Sequence, residues 1–145
     1  MASSQGSLEI LKYMFEKQEN LFLEVLYTTD FNDQTPLHKA AMFGHIEVAD
    51  FLLKKGCFID SLDNKNRTPL LIAASRSNIE MVQFLIKSEA NIHSRDSEQR
   101  NFLQLILLAQ IAESLGNIEI KKVNYNSYSV FNGILSIFEI LKNVN

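Results

Sequence analysis

The sequence predicts an all-α solenoid in which pairs of short helices repeat along the chain and stack side by side. The stretch TPLHKAA that begins at Thr35 returns as TPLLIAA at Thr68, 33 positions later, and Asp30 returns as Asp63 at the same interval. Leucine and alanine recur at helical spacing within each copy, and stretches rich in Asp and Asn separate the copies. A period of this length is typical of arrays whose units bury their apolar faces against their neighbours.

The first helix of each repeat is predicted to begin at a threonine-proline pair. Thr35 can cap the helix, and Pro36 suits the first helical position, where its missing N–H is not needed. Leu37, Ala40 and Ala41 then fall on one face, and the two alanines allow a second helix to approach closely. The next copy repeats this arrangement.

A second helix is predicted between Gly44 and Gly56, because glycine readily adopts the left-handed conformation found at helix ends. The apolar residues expected on its buried face are Ile46, Val48, Phe51, Leu52 and Leu53. Each repeat is therefore predicted to be a pair of short antiparallel helices.

The predicted turns between helix pairs lie at 30–34 and 63–67, where Asp and Asn bond to their own backbone and tolerate positive φ. A turn followed by T-P-L-H-x-A-A-x-x-G-H and then by V-x-x-L-L-x-x-G resembles the ankyrin repeat. The resemblance implies that His38 and His45 bond neighbouring turns.

The register predicts an ankyrin-repeat solenoid with two full repeats between two partial ones. The segment from Gly6 mirrors the second helix that follows Gly44, so its partner helix is missing. Asn101 and Phe102 replace Thr and Pro, and we expect that helix to lack both its cap and its proline. The expected units are a partial repeat at 4–29 with a second helix and a long connection, full repeats at 30–62 and 63–95, a partial repeat at 96–110 with a first helix, and a divergent tail at 111–145.

The tail differs in composition, but apolar residues at helical spacing predict a helix near 128–142. It is either a divergent closing helix or sequence unrelated to the array, and we favour the second interpretation. Two full repeats are fewer than the roughly three that a solenoid needs. We therefore interpret the chain as a piece of something longer.

Three departures from the general pattern resemble part of the N-terminal ankyrin array of ankyrin-type transient receptor potential (TRPA) cation channels. They are a lengthened connection that ends in TTD, the TPL-L-x-A-x-x-S variant without histidine, and R-N-F-L in the last partial repeat. The resemblance covers about residues 4–108. It implies a cytoplasmic array that lies upstream of membrane helices and a pore, contacts neighbouring repeats or subunits, and helps to transmit stimuli.

Composition and charge restrict the function further. With 14 basic and 17 acidic residues the net charge is −3, and no long basic run could neutralise a phosphate backbone, so we expect no nucleic-acid partner. The single cysteine suits a reducing compartment, and no signal peptide is visible. The apolar windows are shorter than the roughly 20 residues of a membrane span. We expect a cytoplasmic location, on the cytoplasmic side of the plasma membrane if the chain belongs to a channel.

No residue pattern predicts catalysis, a metal or a cofactor. The glycines form no phosphate-binding loop, and no nucleophile is paired with a base. Cys57 occupies a position that ankyrin repeats usually give to alanine, and we interpret it as a buried thiol. His38 and His45 are too few for a metal site, which usually needs three or four ligands. We expect a protein without enzyme activity.

The predicted binding surface is the concave face formed by the turn tips and by the exposed side of each first helix. Its apolar residues either contact a protein partner or cover the neighbouring repeat and the chain's own tail. The candidate contact residues are Phe31, Asn32, Lys39, Met42, Phe43, Asn64, Lys65, Ile72, Ser75 and Arg76.

These observations predict a noncatalytic protein-interaction scaffold, as a fragment or truncated form of a TRPA-like cation channel. The alternative is a freestanding ankyrin-repeat adaptor that binds a protein through its concave face. Either function depends on contact surfaces and not on bond-making chemistry.

Overall fold

The protein consists of α-helices joined by turns in a computed structural model that describes residues 2–17, 24–116, 139 and 142. No strand occurs among these residues, and a short helical turn lies at 24–27. The all-α prediction is confirmed. The helices are α1 (Ala2–Lys17), α2 (Pro36–Phe43), α3 (Ile46–Lys54), α4 (Pro69–Ser75), α5 (Ile79–Lys87) and α6 (Phe102–Gly116).

The helices pack in two rows. Helix α2 packs against α3, and α4 packs against α5, so each pair forms one repeat. Helix α4 also contacts α2 on one side and α6 on the other, which makes α2, α4 and α6 the inner row. Helix α1 packs against α3, and we assign α1, α3 and α5 to the outer row.

The hydrophobic core lies between the two rows. Leu37 and Leu70 of the inner row are 0% and 1% exposed, and Leu52 and Leu85 of the outer row are 1% and 0% exposed. These are the positions that the helical spacing predicts to be apolar and buried. The alanines that follow the inner leucines are buried as well, which allows the rows to approach closely: Ala40, Ala41, Ala73 and Ala74.

The inner helices begin with side-chain caps, and the expectation of an uncapped α6 is wrong. The Thr68 hydroxyl accepts the N–H of Leu71 at 3.3 Å at the start of α4. At α6 the Asn101 Oδ1 accepts the N–H of Gln104 at 2.9 Å, and the Gln104 Oε1 accepts the N–H of Asn101 at 3.0 Å. This reciprocal pair is a capping box built from amides, since asparagine caps helices as well as threonine does.

Helix α1 is held on the outer row by an aromatic contact. The Lys55 ammonium lies 3.3 Å from the centre of the Phe15 ring and 5.6 Å from that of Phe51, and the two rings meet edge to face at 6.4 Å. Such cation-π contacts are electrostatically favourable. They hold α1 against α3 at the N-terminal end of the outer row, which we call the head of the stack.

Helix α6 is longer than the other inner helices. It crosses position 110, where the partial repeat is expected to end, and continues to Gly116. The predicted tail helix near 128–142 lies outside the described residues, apart from Glu139 and Lys142, which are helical. Among the helices of the described ranges, none has both the length and the hydropathy that crossing a bilayer requires.

Shortly after α2 and shortly after α4, one residue adopts the left-handed backbone conformation. Gly44 has a φ of 73° after α2, and Ser77, one repeat later, has a φ of 53°. A residue with a Cβ is strained there, because the Cβ approaches the following carbonyl oxygen. The Ser77 hydroxyl is also buried and finds no hydrogen-bond partner within the described part of the chain.

We expect Ser77→Gly to stabilise the protein by about 0.5–1 kcal/mol, because relief of the left-handed strain exceeds the added entropy of the unfolded chain. Urea unfolding followed by circular dichroism measures the change. Ser75→Gly is the control, because Ser75 is the last residue of α4 and glycine has a lower helix propensity than serine, so this change is expected to destabilise by about 0.5 kcal/mol. A loss of stability in both variants would contradict the prediction.

Candidate interaction surface

Three turns of the same geometry form one edge of the stack. In the middle turn the Asp63 Oδ1 accepts the backbone N–H groups of Lys65 and Arg67, each at 2.9 Å. Asp30 and Asp96 accept the corresponding pairs of N–H groups in the first and third turns. Each turn also contains one residue with positive φ, at 33-residue intervals: Asp33 (58°), Asn66 (56°) and Gln99 (61°).

The turns are linked to one another through the backbone. The N–H of Asn64 donates to the carbonyl of Asn32 at 3.0 Å, and the N–H of Ser97 donates to the carbonyl of Lys65 at 2.9 Å. These bonds hold the turn tips in a row. The side chains of Asn32, Asn64 and Lys65 are exposed at the tips.

An ion pair between an aspartate and an arginine stabilises the second turn, and a second such pair stabilises the third turn. The Arg67 Nη2 lies 2.7 Å from the Asp63 Oδ2, and Arg100 and Asp96 repeat this contact at 2.7 Å. Burial raises the pKa of Asp63, but the Arg67 guanidinium and the backbone N–H donors outweigh it, so the pKa lies below its ordinary value. Both carboxylates are therefore structural and charged.

The first turn uses a different cation. Gln34 takes the position of the arginines, and the Lys39 ammonium of α2 reaches the Asp30 carboxylate at 2.6 Å and the Gln34 Oε1 at 2.8 Å. The hydrogen bond from Lys39 is the main reason that the pKa of Asp30 falls to about 2. The Lys39 side chain is half-buried, and its ammonium is already paired with Asp30 and Gln34. Its charge is therefore largely neutralised within the protein.

His38 links the first repeat to the second. Its Nδ1 accepts the backbone N–H of Thr35 at 3.1 Å, and its Nε2 lies 2.9 Å from the carbonyl oxygen of Arg67. A ring nitrogen that faces a carbonyl must donate, so the ring is the neutral tautomer with the proton on Nε2. Burial lowers its pKa. His38 thus bonds the neighbouring turn, as the resemblance implies.

We expect the free energy of unfolding to fall as the pH drops below 6.5, the ordinary pKa of histidine. The unfolded chain then protonates His38 while the folded chain, whose His38 pKa is lowered, does not. The unfolded state therefore binds more protons, and stability decreases by up to about 1.4 kcal/mol per pH unit. Urea midpoints compared at about pH 7.5 and about pH 5.5 measure this loss.

His38→Gln is the matched control for the pH series, since Gln104 performs the same capping role in α6. The variant should show a weaker loss of stability over the same pH range. His45 and His93 are common to both proteins, so the difference between the two slopes isolates His38. Equal slopes would show that His38 does not contribute.

The candidate contact residues differ in exposure. Phe31 is fully exposed at the first turn, and Phe43 is 65% exposed and stacks on His45 at 6.2 Å. Arg76 is exposed as well, whereas Met42 and Ser75 are half-buried, and the Ser75 hydroxyl donates to the carbonyl of Ile72 at 2.8 Å. Among the candidate contact residues, the most accessible apolar side chains therefore lie in the first repeat.

The expectation of an exposed Ile72 is wrong. Ile72 is 1% exposed and therefore cannot contribute a free contact surface. The reason is the position of α4 in the stack, because α2, α5 and α6 all pack against it. Residues 69–74 are buried without exception, so this helix has no open apolar side.

A groove at the head of the inner row was not predicted. The cleft has a volume of about 460 Å³, and its lining residues all lie between Thr28 and Val48, so none of them comes from α4. The missing partner of the first partial repeat is the sequence signal that could have indicated it. This cleft, the head groove, is lined by Asp30, Gln34, Pro36, Lys39, Ala40 and Phe43, among others.

The remaining reactive side chain is buried. Cys57 is 7% exposed, its Sγ lies 4.0 Å from the carbonyl oxygen of Leu26, and burial raises the pKa of its thiol. A thiol in this state is a poor nucleophile. Within the described ranges, no group of three or more His, Cys, Asp or Glu side chains could hold a metal ion. The geometry is suited to binding through surfaces.

The comparison with protein families agrees with this geometry. The sequence profile described as "Ankyrin repeats (3 copies)" matches residues 1–96, more than half of the 145 residues. The chain belongs to the ankyrin-repeat family. Ankyrin repeats typically form noncatalytic modules for protein interaction, and the stacked turns and inner helices of this ankyrin protein provide such a scaffold.

A similar protein is Transient receptor potential cation channel subfamily A member 1 of Drosophila melanogaster, which is 38% identical over 66 residues. The match covers 46% of this ankyrin chain and 6% of the channel. The predicted resemblance to the TRPA ankyrin repeats is thereby confirmed, and the chain spans a small part of the length of that relative.

Proposed function

We propose that this chain is a noncatalytic scaffold that forms part of the cytoplasmic ankyrin array of a TRPA-like cation channel. The identity of 38% over 66 residues with the fruit-fly channel is the observation that carries the proposal. In such an array the chain contacts neighbouring repeats or subunits and couples a stimulus to the pore, on the cytoplasmic side of the plasma membrane. The repeat units 30–62 and 63–95 are part of the same proposal.

Sequencing of complete transcripts is the first test. Several apolar stretches of about 20 residues encoded downstream of Gln110 would support the proposal, because each could span a bilayer. A stop codon close to residue 145 in every transcript would contradict it and favour a freestanding protein.

A chimeric channel provides a functional test. The matching ankyrin segment of the fruit-fly channel is replaced by residues 30–95 of this chain, and stimulus-evoked currents are recorded. We expect the chimera to retain its response, whereas a two-repeat segment from an unrelated ankyrin protein should lose it. Loss in both chimeras, with normal surface expression, would contradict a shared role.

The second candidate is a freestanding adaptor, and the exposure of Phe31 and Phe43 favours it, because large apolar side chains at a surface often mark a contact. Phe43→Asp should then abolish binding to the partner, whereas Phe58→Asp in the loop after α3 should not. The proposed contact residues are Phe31, Asn32, Lys39, Met42, Phe43, Asn64, Lys65, Ser75 and Arg76.

A further inference from the structure

The inner row differs from the rest of the chain in its charge. The segments 35–44, 68–78 and 101–112, which cover α2 and α4 with their caps and the first part of α6, contain no Asp or Glu. The acidic residues of the outer helices are Glu9, Glu16, Glu47, Asp50 and Glu80. Although the whole chain has a net charge of −3, its inner row therefore presents no carboxylate over these segments.

Lys39 and Arg76 are the lysine and the arginine of these inner segments, and they differ in their pairing. The Lys39 ammonium is bound to Asp30 and Gln34. Arg76 is exposed at the end of α4, and it takes part in none of the ion pairs between residues that the structure describes. The Arg76 guanidinium is thus available to an anionic group from outside the chain.

The exposure of Arg76 is a property of its position within a repeat. Helix α4 has α2 on one side and α6 on the other, so Arg76 belongs to a repeat with both inner neighbours in place. Phe43 occupies the equivalent position 33 residues earlier and is 65% exposed. Because Arg76 is exposed between two neighbours, the exposure of Phe43 does not depend on what precedes the first repeat.

Met42 and Ser75 complete this surface, which we call the inner patch: Met42, Phe43, Ser75 and Arg76. Met42 and Ser75 each precede one of the exposed residues and are half-buried. Methionine adapts its shape to apolar groups that pack on it, because its side chain is unbranched and flexible. The inner patch is therefore apolar in the first repeat and cationic in the second.

The spacing of the two halves limits what can bridge them. The axes of packed helices lie about 8–10 Å apart, so Phe43 and Arg76, at equivalent positions of α2 and α4, are separated by about that distance. A peptide in the polyproline II conformation advances about 3.1 Å per residue and has three residues per turn. Two of its side chains that are three residues apart lie on one side and span about 9 Å.

The charge of the inner patch indicates the class of partner. An arginine guanidinium binds a carboxylate through two parallel hydrogen bonds, and the inner segments contain no carboxylate of their own that would compete. A nucleic acid or an anionic membrane presents a row of phosphates, which several cations must neutralise. The inner patch has one cation beside an apolar surface, which suits an acidic peptide.

We propose that the inner patch binds a peptide segment of a partner protein in which a large apolar side chain and a carboxylate stand three residues apart. The apolar side chain packs on Phe43 and Met42, and the carboxylate pairs with Arg76. This inference rests on the proposed scaffold function and deepens it by specifying the chemistry of the partner. It applies to a neighbouring channel subunit and to a separate partner alike.

Three fluorescein-labelled peptides test the proposal by fluorescence anisotropy with the full chain. Their sequences are LPPEPPL, LPPQPPL and LPPKPPL, in which a leucine on either side of the central residue allows both chain directions. The glutamate peptide should bind about threefold to fivefold more tightly than the glutamine peptide, as expected for one exposed ion pair, and the lysine peptide should bind most weakly. Added salt should reduce these differences. Equal affinities for the glutamate and glutamine peptides, or no binding of either, would overturn the proposal.

A charge reversal identifies the cation. Arg76→Glu should invert the preference, so that the lysine peptide binds more tightly than the glutamate peptide. Lys87→Glu is the matched control, because it makes the same change of charge at an exposed residue of the outer helix α5, and it should keep the original order. An Arg76→Glu variant that still prefers the glutamate peptide would show that Arg76 is not the contact.

The apolar half is tested at Phe43. Phe43→Ala should weaken the binding of all three peptides at least about fivefold, as expected for an aromatic contact residue. Phe58→Ala removes a ring that is 62% exposed in the loop after α3 and should leave the affinities unchanged. Equal effects of the two substitutions would exclude Phe43 as the apolar contact. Such failures would leave the transcript and chimera results unaffected, so this inference and the proposed function fail separately.

Discussion

Leu85→Ala is expected to lower the free energy of unfolding by about 2–5 kcal/mol, because it removes a buried side chain and leaves a cavity in the core. Leu85 is 0% exposed and lies in α5, on the face that packs against α4. Leu52 occupies the same position one repeat earlier and is 1% exposed, so Leu52→Ala should cost a similar amount. Urea unfolding at low protein concentration, followed by circular dichroism, provides the measurement.

The matched control for the core substitutions is Leu107→Ala, which makes the same chemical change at a side chain that is 57% exposed. Its effect should stay within about 0.5 kcal/mol. If Leu85→Ala were equally mild, α5 would not contribute its leucines to the core, and the repeat register itself would be wrong.

Asp63→Ala should destabilise the protein by roughly 3 kcal/mol, the lower end of the range for breaking a buried ion pair. The Asp63 side chain is 0% exposed, and its loss leaves the Arg67 guanidinium and two backbone N–H groups without their acceptor. Arg67 is 22% exposed and can partly reach water, which limits the loss. Chemical denaturation at neutral pH measures the change.

Two further substitutions separate the contributions to the Asp63 result. Asp63→Asn keeps an oxygen that can accept the turn N–H groups and removes only the charge, so it should fall between the native protein and Asp63→Ala. Asp30→Ala removes the equivalent residue of the first turn, whose ion pair with Lys39 is only half-buried, and should cost less. An Asp30→Ala variant as unstable as Asp63→Ala would show that burial of the pair does not matter.

Much of the local structure could be predicted from the sequence. The starts of α2 and α4 follow from Thr35 and Thr68, each followed by proline, and the buried leucines follow from their spacing. These features depend on contacts within a few residues of the same helix or turn, so a single copy of the repeat is enough to specify them. The turns at Asp30 and Asp63 are predictable for the same reason.

The amide cap of α6 shows how a prediction from residue identity can fail. Asn101 and Gln104 differ in type from the threonine and histidine of the first repeat, and the expectation of a lost cap followed from that difference. Their oxygens and N–H groups nevertheless occupy equivalent places. Capping depends on the position of an acceptor oxygen or nitrogen, so several side chains can supply it.

The sequence by itself determined the helix pairs, the turns and the repeat interval, because these arise from interactions between near neighbours in the chain. Only the tertiary structure decided which apolar side chains of the inner row are accessible, as Ile72 is buried between three helices whereas Leu107 of α6 is exposed. It also decided the tautomer of His38, which follows from a carbonyl in the next turn. Burial and hydrogen bonding between repeats depend on which elements stand on either side, and the spacing within one repeat contains no such information.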